Sequence, residues 1–300
     1  MVAEALRALR PAPGARLVDG TIGGAGHAEA LLRASSPDGW LYGCDRDGAA
    51  IEAATERLKP FAGRFELRRG NFADLGEWIE AGSCDGALLD LGTSSAQLDE
   101  AGRGFSFQAE GPLDMRMDDR QIITAASLVN TISPEELARI FWEFGGESDS
   151  RRMAKAIALD RQQRPFETTR QLAGLIERLS PRGGRKTHPA TRVFQALRIA
   201  VNQETESLRR GLEAALAILK PGGRLAVITF HSLEDRITRL FGREHARDYV
   251  AGDPSDVPEL RRPAKPTVVL VEKKAIKPGE AELAENPRSR SAQLRVMEKI

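Results

Sequence analysis

Two cysteines, Cys44 and Cys84, are the only thiols in 300 residues. That is too few for a disulfide framework and agrees with a reducing compartment. Cys44 lies in strand-like sequence and Cys84 just before another strand, so both read as near-core thiols. Aromatics are scarce, at 5%, so an interior must be built mostly from Leu, Ile, Val and Ala. No apolar run approaches the ~20 residues of a membrane-spanning helix. The opening MVAEALRALRPAPG carries Glu and Arg among its apolar residues, which excludes a secretory signal. These absences point to the cytoplasm and to no membrane partner. The four histidines, His27, His188, His231 and His245, stand at no metal-ligand spacing from one another or from the cysteines, so no metal is expected. There is no internal repeat and no phosphate-binding Gly-Lys-Ser/Thr loop.

What is present is a β-α rhythm. Arg16-Leu17-Val18-Asp19 reads as a strand running into Gly20-Thr21-Ile22-Gly23-Gly24-Ala25-Gly26, with a helix through Glu29 to Leu32. Trp40 to Asp45, Phe65 to Arg69 and Gly86 to Asp90 read as strands two to four. A helix from Ala49 to Leu58 and a short one from Leu75 to Ile79 separate them. The fourth strand is almost wholly apolar, as a strand buried on both faces must be. From 99 to 190 the rhythm stops. Ser133-Pro134-Glu135-Glu136 reads as a capping box with Pro at the first helical position. Arg151 to Gln163 and Arg170 to Leu179 read as helices, and Pro181 to Lys186 as a basic loop. Near 191 the rhythm returns with one long amphipathic helix carrying Phe194, Leu197, Val201, Leu208, Leu212, Leu216 and Leu219, stopped at Lys220-Pro221-Gly222-Gly223. Arg224 to Phe230 is a fifth strand. Ser232-Leu233-Glu234-Asp235 caps a helix to Phe241, and Pro266 to Lys273 and Ser291 to Lys299 close the sheet. The expectation is an α/β fold: a Rossmann-like, doubly wound, seven-stranded sheet whose last pair is antiparallel. The expected domains are 1–98 with 191–300, and an all-helical insertion, 99–190, placed to cover the crevice at the strand carboxyl ends.

The glycines after the first strand allow tight turning and close backbone approach to a ligand. A dinucleotide fingerprint would close on Gly or Ala, yet Gly24-Ala25-Gly26-His27-Ala28-Glu29 ends in Glu. An acid at that helix N-terminus is expected to repel a pyrophosphate. The loop therefore suits a cofactor that is not a phosphate diester, such as S-adenosylmethionine; a glycine turn without a ligand is the rival. Asp45 ends the second strand 19 residues after Gly26, where a carboxylate can accept both ribose hydroxyls of an adenosine. Its rival role is a helix cap. Phe72 either packs on the adenine or belongs to the core. Asp90 ends the fourth strand and points into the same crevice.

Asp90-Leu91-Gly92-Thr93-Ser94-Ser95 occupies the place where amino-methyltransferases keep a short acidic motif. An exocyclic base amine is a poor nucleophile because its lone pair is delocalised into the ring; acceptors on its protons return density to nitrogen. Asp90, Ser94 and Ser95 are the candidate catalytic residues, acting by positioning and electrostatics, with turn and cap chemistry as the competing role of the serines. Carbon-5 methylation of cytosine needs a cysteine nucleophile, and neither cysteine lies on a loop at a strand end. His231 ends the fifth strand at the crevice edge, as a substrate contact or a structural hydrogen-bonding group. Net charge is only +1, but residues 150–210 hold 14 Lys and Arg against 5 Asp and Glu. That asymmetry points to a polyanion facing this region, or to a solvated helical surface.

Longer stretches carry a resemblance. They are Asp19 to His27, Asp90-Leu91-Gly92-Thr93-Ser94-Ser95-Ala96-Gln97-Leu98-Asp99, Arg103-Gly104-Phe105-Ser106-Phe107, Gly111 to Asp118, His188 to Arg198, Thr229 to Arg236 and Glu285 to Ser291. Over nearly the whole chain the sequence resembles the MraW-type bacterial methyltransferases, which modify the N4 amine of a cytidine in small-subunit (16S) ribosomal RNA. The resemblance implies the class I S-adenosylmethionine methyltransferase version of the fold. It implies cofactor contacts at Ala25, Gly26, His27, Asp45, Phe72, Asp90 and Gln97, beside Gly24 of the glycine turn, and a substrate-recognition role for 99–190. Asp114, Arg116, Arg185, Lys186, Arg192, Arg198 and His231 are the candidate substrate-binding residues. The expected partner is small-subunit ribosomal RNA within an assembling or assembled subunit, with a homodimer also open. Two features depart from the family. Its members usually carry a few more residues before Val2, including a histidine, which raises the expectation of a truncated or misassigned start. Ala25 stands where many have Gly. Two other readings compete: a methyltransferase of a protein or small-molecule amine, which the basic insert disfavours, and an RNA-binding ribosome assembly factor with a non-catalytic cofactor site, which the intact Asp45 and glycine loop disfavour.

Overall fold

The computed structural model describes residues 1–180, 188–250 and 256–300, which form two compact units, 1–92 with 205–300, and 93–204. The first is built on seven strands: β1 (Arg16–Asp19), β2 (Trp40–Asp45), β3 (Phe65–Arg69), β4 (Cys84–Asp90), β5 (Leu219–Thr229), β6 (Val268–Leu270) and β7 (Gln293–Lys299). Their order is β3-β2-β1-β4-β5-β7-β6. The first five are parallel to one another, and β7 runs antiparallel to both β5 and β6. Successive side chains of a strand point to opposite faces, and both faces here are covered. Leu17, Leu88, Ala226 and Ile228 pack with helices α1 (Val2–Leu9), α2 (Gly26–Ala34) and α3 (Gly48–Leu58). Val18, Ala87, Leu89, Leu225 and Val227 pack with α10 (Glu204–Ile218) and α11 (Ser232–His245) on the other side. This double burial is why 86–89 of β4 and 225–228 of β5 read as apolar runs. The sequence reading had no counterpart for α1. Both cysteines are buried and unoxidised, and burial pushes each thiol above its ordinary range.

The helical unit contains α4 (Ser95–Asp99), α5 (Ala125–Thr131), α6 (Pro134–Glu143), α7 (Ser150–Gln163), α8 (Thr169–Leu179) and α9 (Ala190–Asn202). Its described residues add one isolated bridge, Pro112 to Thr168. Helix starts follow side-chain chemistry. Ser133 caps α6 by accepting from Glu136 N–H, and Thr124–Ser127 and Thr168–Gln171 form reciprocal capping boxes for α5 and α8.

The single long helix expected across 191–219 is two. Gln203 takes a left-handed conformation at φ 50°, which ends α9. Val193, Phe194, Leu197 and Val201 then belong to the core of the helical unit with Leu137, Phe141 and Ile176. Leu208, Leu212 and Leu216 of α10 belong to the core on the sheet. One apolar stripe thus serves two cores, and the compact units divide at 92/93 and 204/205 rather than at 98/99 and 190/191.

Asn202, fully buried at the end of α9, holds the loop of 115–117. Its Oδ1 accepts Met117 N–H at 2.8 Å, and its Nδ2 donates to Met115 C=O at 2.7 Å. Asn202→Ala strands both backbone groups. It is expected to lower stability by about 2–4 kcal/mol, read as a lower urea midpoint at an unchanged slope.

Candidate active site

Three strands of the sheet unit end in a carboxylate on the same edge: Asp19 on β1, Asp45 on β2 and Asp90 on β4. The turn between β1 and α2 is tied down beside them. Gly20 N–H donates to Leu88 C=O at 2.9 Å, and Ile22 N–H to Cys44 C=O at 3.0 Å. A Cβ on Gly20 would lie 2.6 Å from the Leu89 side chain, so only glycine fits there. Gly23 and Ala25 are left-handed, at φ 46° and φ 59°. Ala25 is fully buried in a conformation that glycine adopts without strain. Gly24 is exposed, and a Cβ on it would meet nothing within 4 Å.

Asp45 braces this turn. Its Oδ2 accepts Gly23 N–H and its Oδ1 accepts Asp47 N–H, each at 3.0 Å. A carboxylate has about four acceptor positions, so with the backbone N–H groups of Gly23, Asp47 and Arg46 on it, capacity remains for a ribose hydroxyl. The cap of α3 is Asp47, which accepts Ala49 N–H, so the rival role for Asp45 falls to its neighbour. Burial pushes Asp45 above the usual carboxylate range, against the backbone donors of Asp47, Gly23 and Arg46 that hold it down.

Asp90 is held from two sides. Its N–H donates to Thr21 Oγ1 at 2.7 Å, and its Oδ2 lies 3.3 Å from His27 Nε2. Its Oδ1 is buried without a hydrogen-bond partner among the described residues. Burial works against a charged His27, but the hydrogen bond to Asp90 and the charges of Asp90 and Asp19 outweigh it and raise its pKa. The sequence reading gave no part to Thr21, Asp19 or Arg57, whose guanidinium donates to Gly24 C=O at 2.9 Å. A strand-end carboxylate matching Asp45 and Asp90 was the available signal for Asp19.

Asp19 is fully buried, and burial pushes its carboxyl up to about 6. An acid whose pKa rises on folding stabilises the fold below its unfolded pKa and loses that contribution as pH rises through the folded value. Asp19→Asn keeps an acceptor for Thr21 N–H, now 3.2 Å from Asp19 Oδ1. The variant is expected to be more stable than the parent at pH 7.5, by on the order of 2–3 kcal/mol, with the advantage vanishing toward pH 4. Thermal melts at the two pH values check this, and an equal difference at both refutes it.

Glu29 does not leave a bare negative charge at the start of α2. Arg57 Nε lies 2.7 Å from one oxygen, and Arg33 pairs with the other. The Arg57 hydrogen bond holds the Glu29 carboxyl below its usual range. The glycine pattern, not repulsion by Glu29, is what departs from a dinucleotide site.

Phe72 has its Cβ against Gly20, and its ring edge packs on α10, where a Cβ on Gly211 would lie 2.2 Å from Cδ2. The ring stays partly exposed. Its core packing is therefore real and leaves part of the ring outward. His231 caps α11: its Nδ1 accepts Glu234 N–H at 3.4 Å, its Nε2 lies 3.0 Å from Glu234 Oε1, and Glu234 Oε2 accepts Phe230 N–H at 2.8 Å. That is the structural role, and it moves the helix cap from Ser232 to His231.

The remaining candidates lie in the helical unit. Ser94 and Gln97 form the capping box of α4: Ser94 Oγ accepts Gln97 N–H at 3.2 Å and Gln97 Oε1 accepts Ser94 N–H at 3.0 Å. Ser95 is exposed. Arg116 binds Asp114 through two 2.8 Å hydrogen bonds and donates to Asp119 C=O. Arg198 binds Glu204 through two of 2.9 Å. These pairs build the unit's own loops, so they are not the free cations expected for RNA. Arg192 is exposed and donates to Gly146 C=O at 3.3 Å. Arg185 and Lys186 lie outside the described residues.

S-adenosylmethionine fits the sheet unit's edge. The Gly23-Gly24 turn is open, Asp45 keeps acceptor capacity, Asp90 holds an unpartnered buried oxygen, and three carboxylates suit a sulfonium cation. A doubly wound sheet in this strand order with such an edge defines a class I S-adenosylmethionine-dependent methyltransferase. The chain belongs to the MraW methylase family, whose profile matches residues 1–300. The Ribosomal RNA small subunit methyltransferase H of Syntrophotalea carbinolica is 52% identical over 306 residues, spanning 100% of this chain and 96% of its own. That of Geobacter sulfurreducens is 50% identical over 305 residues, spanning 100% and 97%. A solved rRNA methylase from Streptococcus thermophilus aligns at 11% identity with a TM-score of 0.44, covering 100% of this chain and 92% of that one. Among the described residues, no helix is long and apolar enough to cross a membrane.

Proposed function

We propose that this methyltransferase acts on the exocyclic N4 amine of a cytidine in small-subunit ribosomal RNA, in the cytoplasm and within an assembling or assembled subunit. The relatives' names support the RNA, and the family resemblance supports the amine. The observation that carries the chemistry is Asp90: a carboxylate fixed through Thr21 and His27, with one buried oxygen left over.

When bound, S-adenosylmethionine supplies a methyl group on a positive sulfur. The residues supply the rest. Gly24, Ala25, Gly26 and Asp45 hold the adenosine end, with the outward part of Phe72 against the base. Asp90 Oδ1 accepts a hydrogen bond from an amine N–H, which aims the nitrogen and raises its electron density as it gains positive charge. His27 fixes which Asp90 oxygen does this. Ser94 and Gln97, by capping α4, shape the loop that follows Asp90. The target base must leave its stack to be read, as in other base-modifying enzymes. In this reading, 93–204, inserted between β4 and β5, recognises the RNA.

Mass spectrometry of small-subunit rRNA nucleosides from cells with and without this protein tests the proposal. Loss of an N4-methylated cytidine in its absence is the expected result, and an unchanged nucleoside profile overturns it.

A further inference from the structure

Part of the charge excess of 150–210 is engaged in folding. Arg161 donates to Val129 and Ile132 C=O at the end of α5, Arg178 lies 3.5 Å from Asp160, Arg198 holds Glu204, and Arg210 lies 2.7 Å from Asp74. A different element carries unpaired cations. By count α11 is nearly neutral, with Glu234, Asp235 and Glu244 against Arg236, Arg239 and Arg243. The fold separates these signs. Glu234 is buried under the cap, and Asp235 is bound by both arms of Arg295 at 2.6 and 3.0 Å.

Glu244 stays exposed on the helix, but Arg236 and Arg243 are exposed and Arg239 is half-buried, all three without a hydrogen-bond or ion-pair partner among the described residues. At 100° per residue they fall within a sector of about 60°. Arg239 and Arg243 also line a depression with Lys273, which follows β6, while Glu272 is the one acid of that lining.

We propose that this ridge of α11 is a second RNA contact, on the sheet unit, that grips the phosphodiester backbone of the substrate strand; it rests on the RNA reading above. Three cations spaced over roughly 10 Å of helix match about three steps of a nucleic-acid strand. The face offers no aromatic ring for base stacking, and its one exposed apolar side chain is Leu240, so it positions the strand without reading sequence and does not suit insertion into a membrane. Helix α11 begins where β5 ends, on the sheet edge that carries Asp19, Asp45 and Asp90. A strand held along it is led toward the reacting carboxylate.

The test uses the full chain, the triple variant Arg236→Gln/Arg239→Gln/Arg243→Gln and small ribosomal subunits, immature and mature, from cells lacking this protein. The slope of log affinity against log salt is expected to fall by roughly 1 per cation removed, with KM for RNA rising at least about tenfold at ~0.15 M salt. The kcat at saturating RNA, the melting temperature and the heat of cofactor binding stay as in the parent. A parental slope and KM in a variant that still folds overturn the ridge while leaving the RNA reading intact. Absence of RNA methylation by the parent overturns both.

Discussion

Asp90→Asn lowers kcat by roughly two orders of magnitude or more, the scale on which losing one preorganised electrostatic contact in a closed site acts. One Asp90 oxygen is engaged by His27 at 3.3 Å, and the other is buried with no partner among the described residues. An amide in this place keeps the shape but removes the negative charge, and it can present N–H to an amine that itself needs an acceptor. The loss belongs in kcat, because the contact strengthens as the nitrogen becomes cationic. A second readout separates this role from simple damage to the fold. Asp90 raises the His27 pKa, so in Asp90→Asn the imidazole titrates at lower pH. Nuclear magnetic resonance of the His27 ring measures this directly. An unchanged kcat, or a His27 titration that does not move, would remove Asp90 from the chemistry.

Asp45→Ala weakens S-adenosylmethionine binding by about a hundredfold or more, measured by calorimetry. A hydrogen bond from a ribose hydroxyl to a charged acceptor is worth roughly 1.5–3 kcal/mol, and a tenfold change in affinity is about 1.4 kcal/mol. The same substitution leaves Gly23 N–H and Asp47 N–H without their acceptor, which loosens the turn that faces the cofactor. Asp45→Asn, which keeps one acceptor oxygen, should lose less. Binding of parental strength in the alanine variant would show that the ribose is held elsewhere.

Much of the architecture was readable from residues 1–98 and 219–300. Burial on both faces writes itself into a strand as continuous Leu, Val and Ala, and the buried parts of β4 and β5 follow those runs. The strand-end aspartates and the glycine turn stood out because loops at carboxyl ends have few other reasons to carry such residues. The site was less legible where one side chain has two possible partners. Phe72 and His231 both kept a structural contact that the sequence allowed but did not select. Asp114, Arg116 and Arg198, expected as substrate contacts, are paired within the helical unit, which the sequence did not select.

The strands, the glycine turn and the capped helices of the insertion were determined by the sequence alone, since alternation, turn chemistry and capping act within a few residues of one another. The tertiary structure decided where α9 ends and which core it joins, because an amphipathic stripe specifies that it must be covered and not by what. It also decided which charges stay exposed. A guanidinium takes the carboxylate that packing brings to it, as Arg295 takes Asp235 from 60 residues away, and that choice leaves the outer face of α11 basic in a chain of almost no net charge.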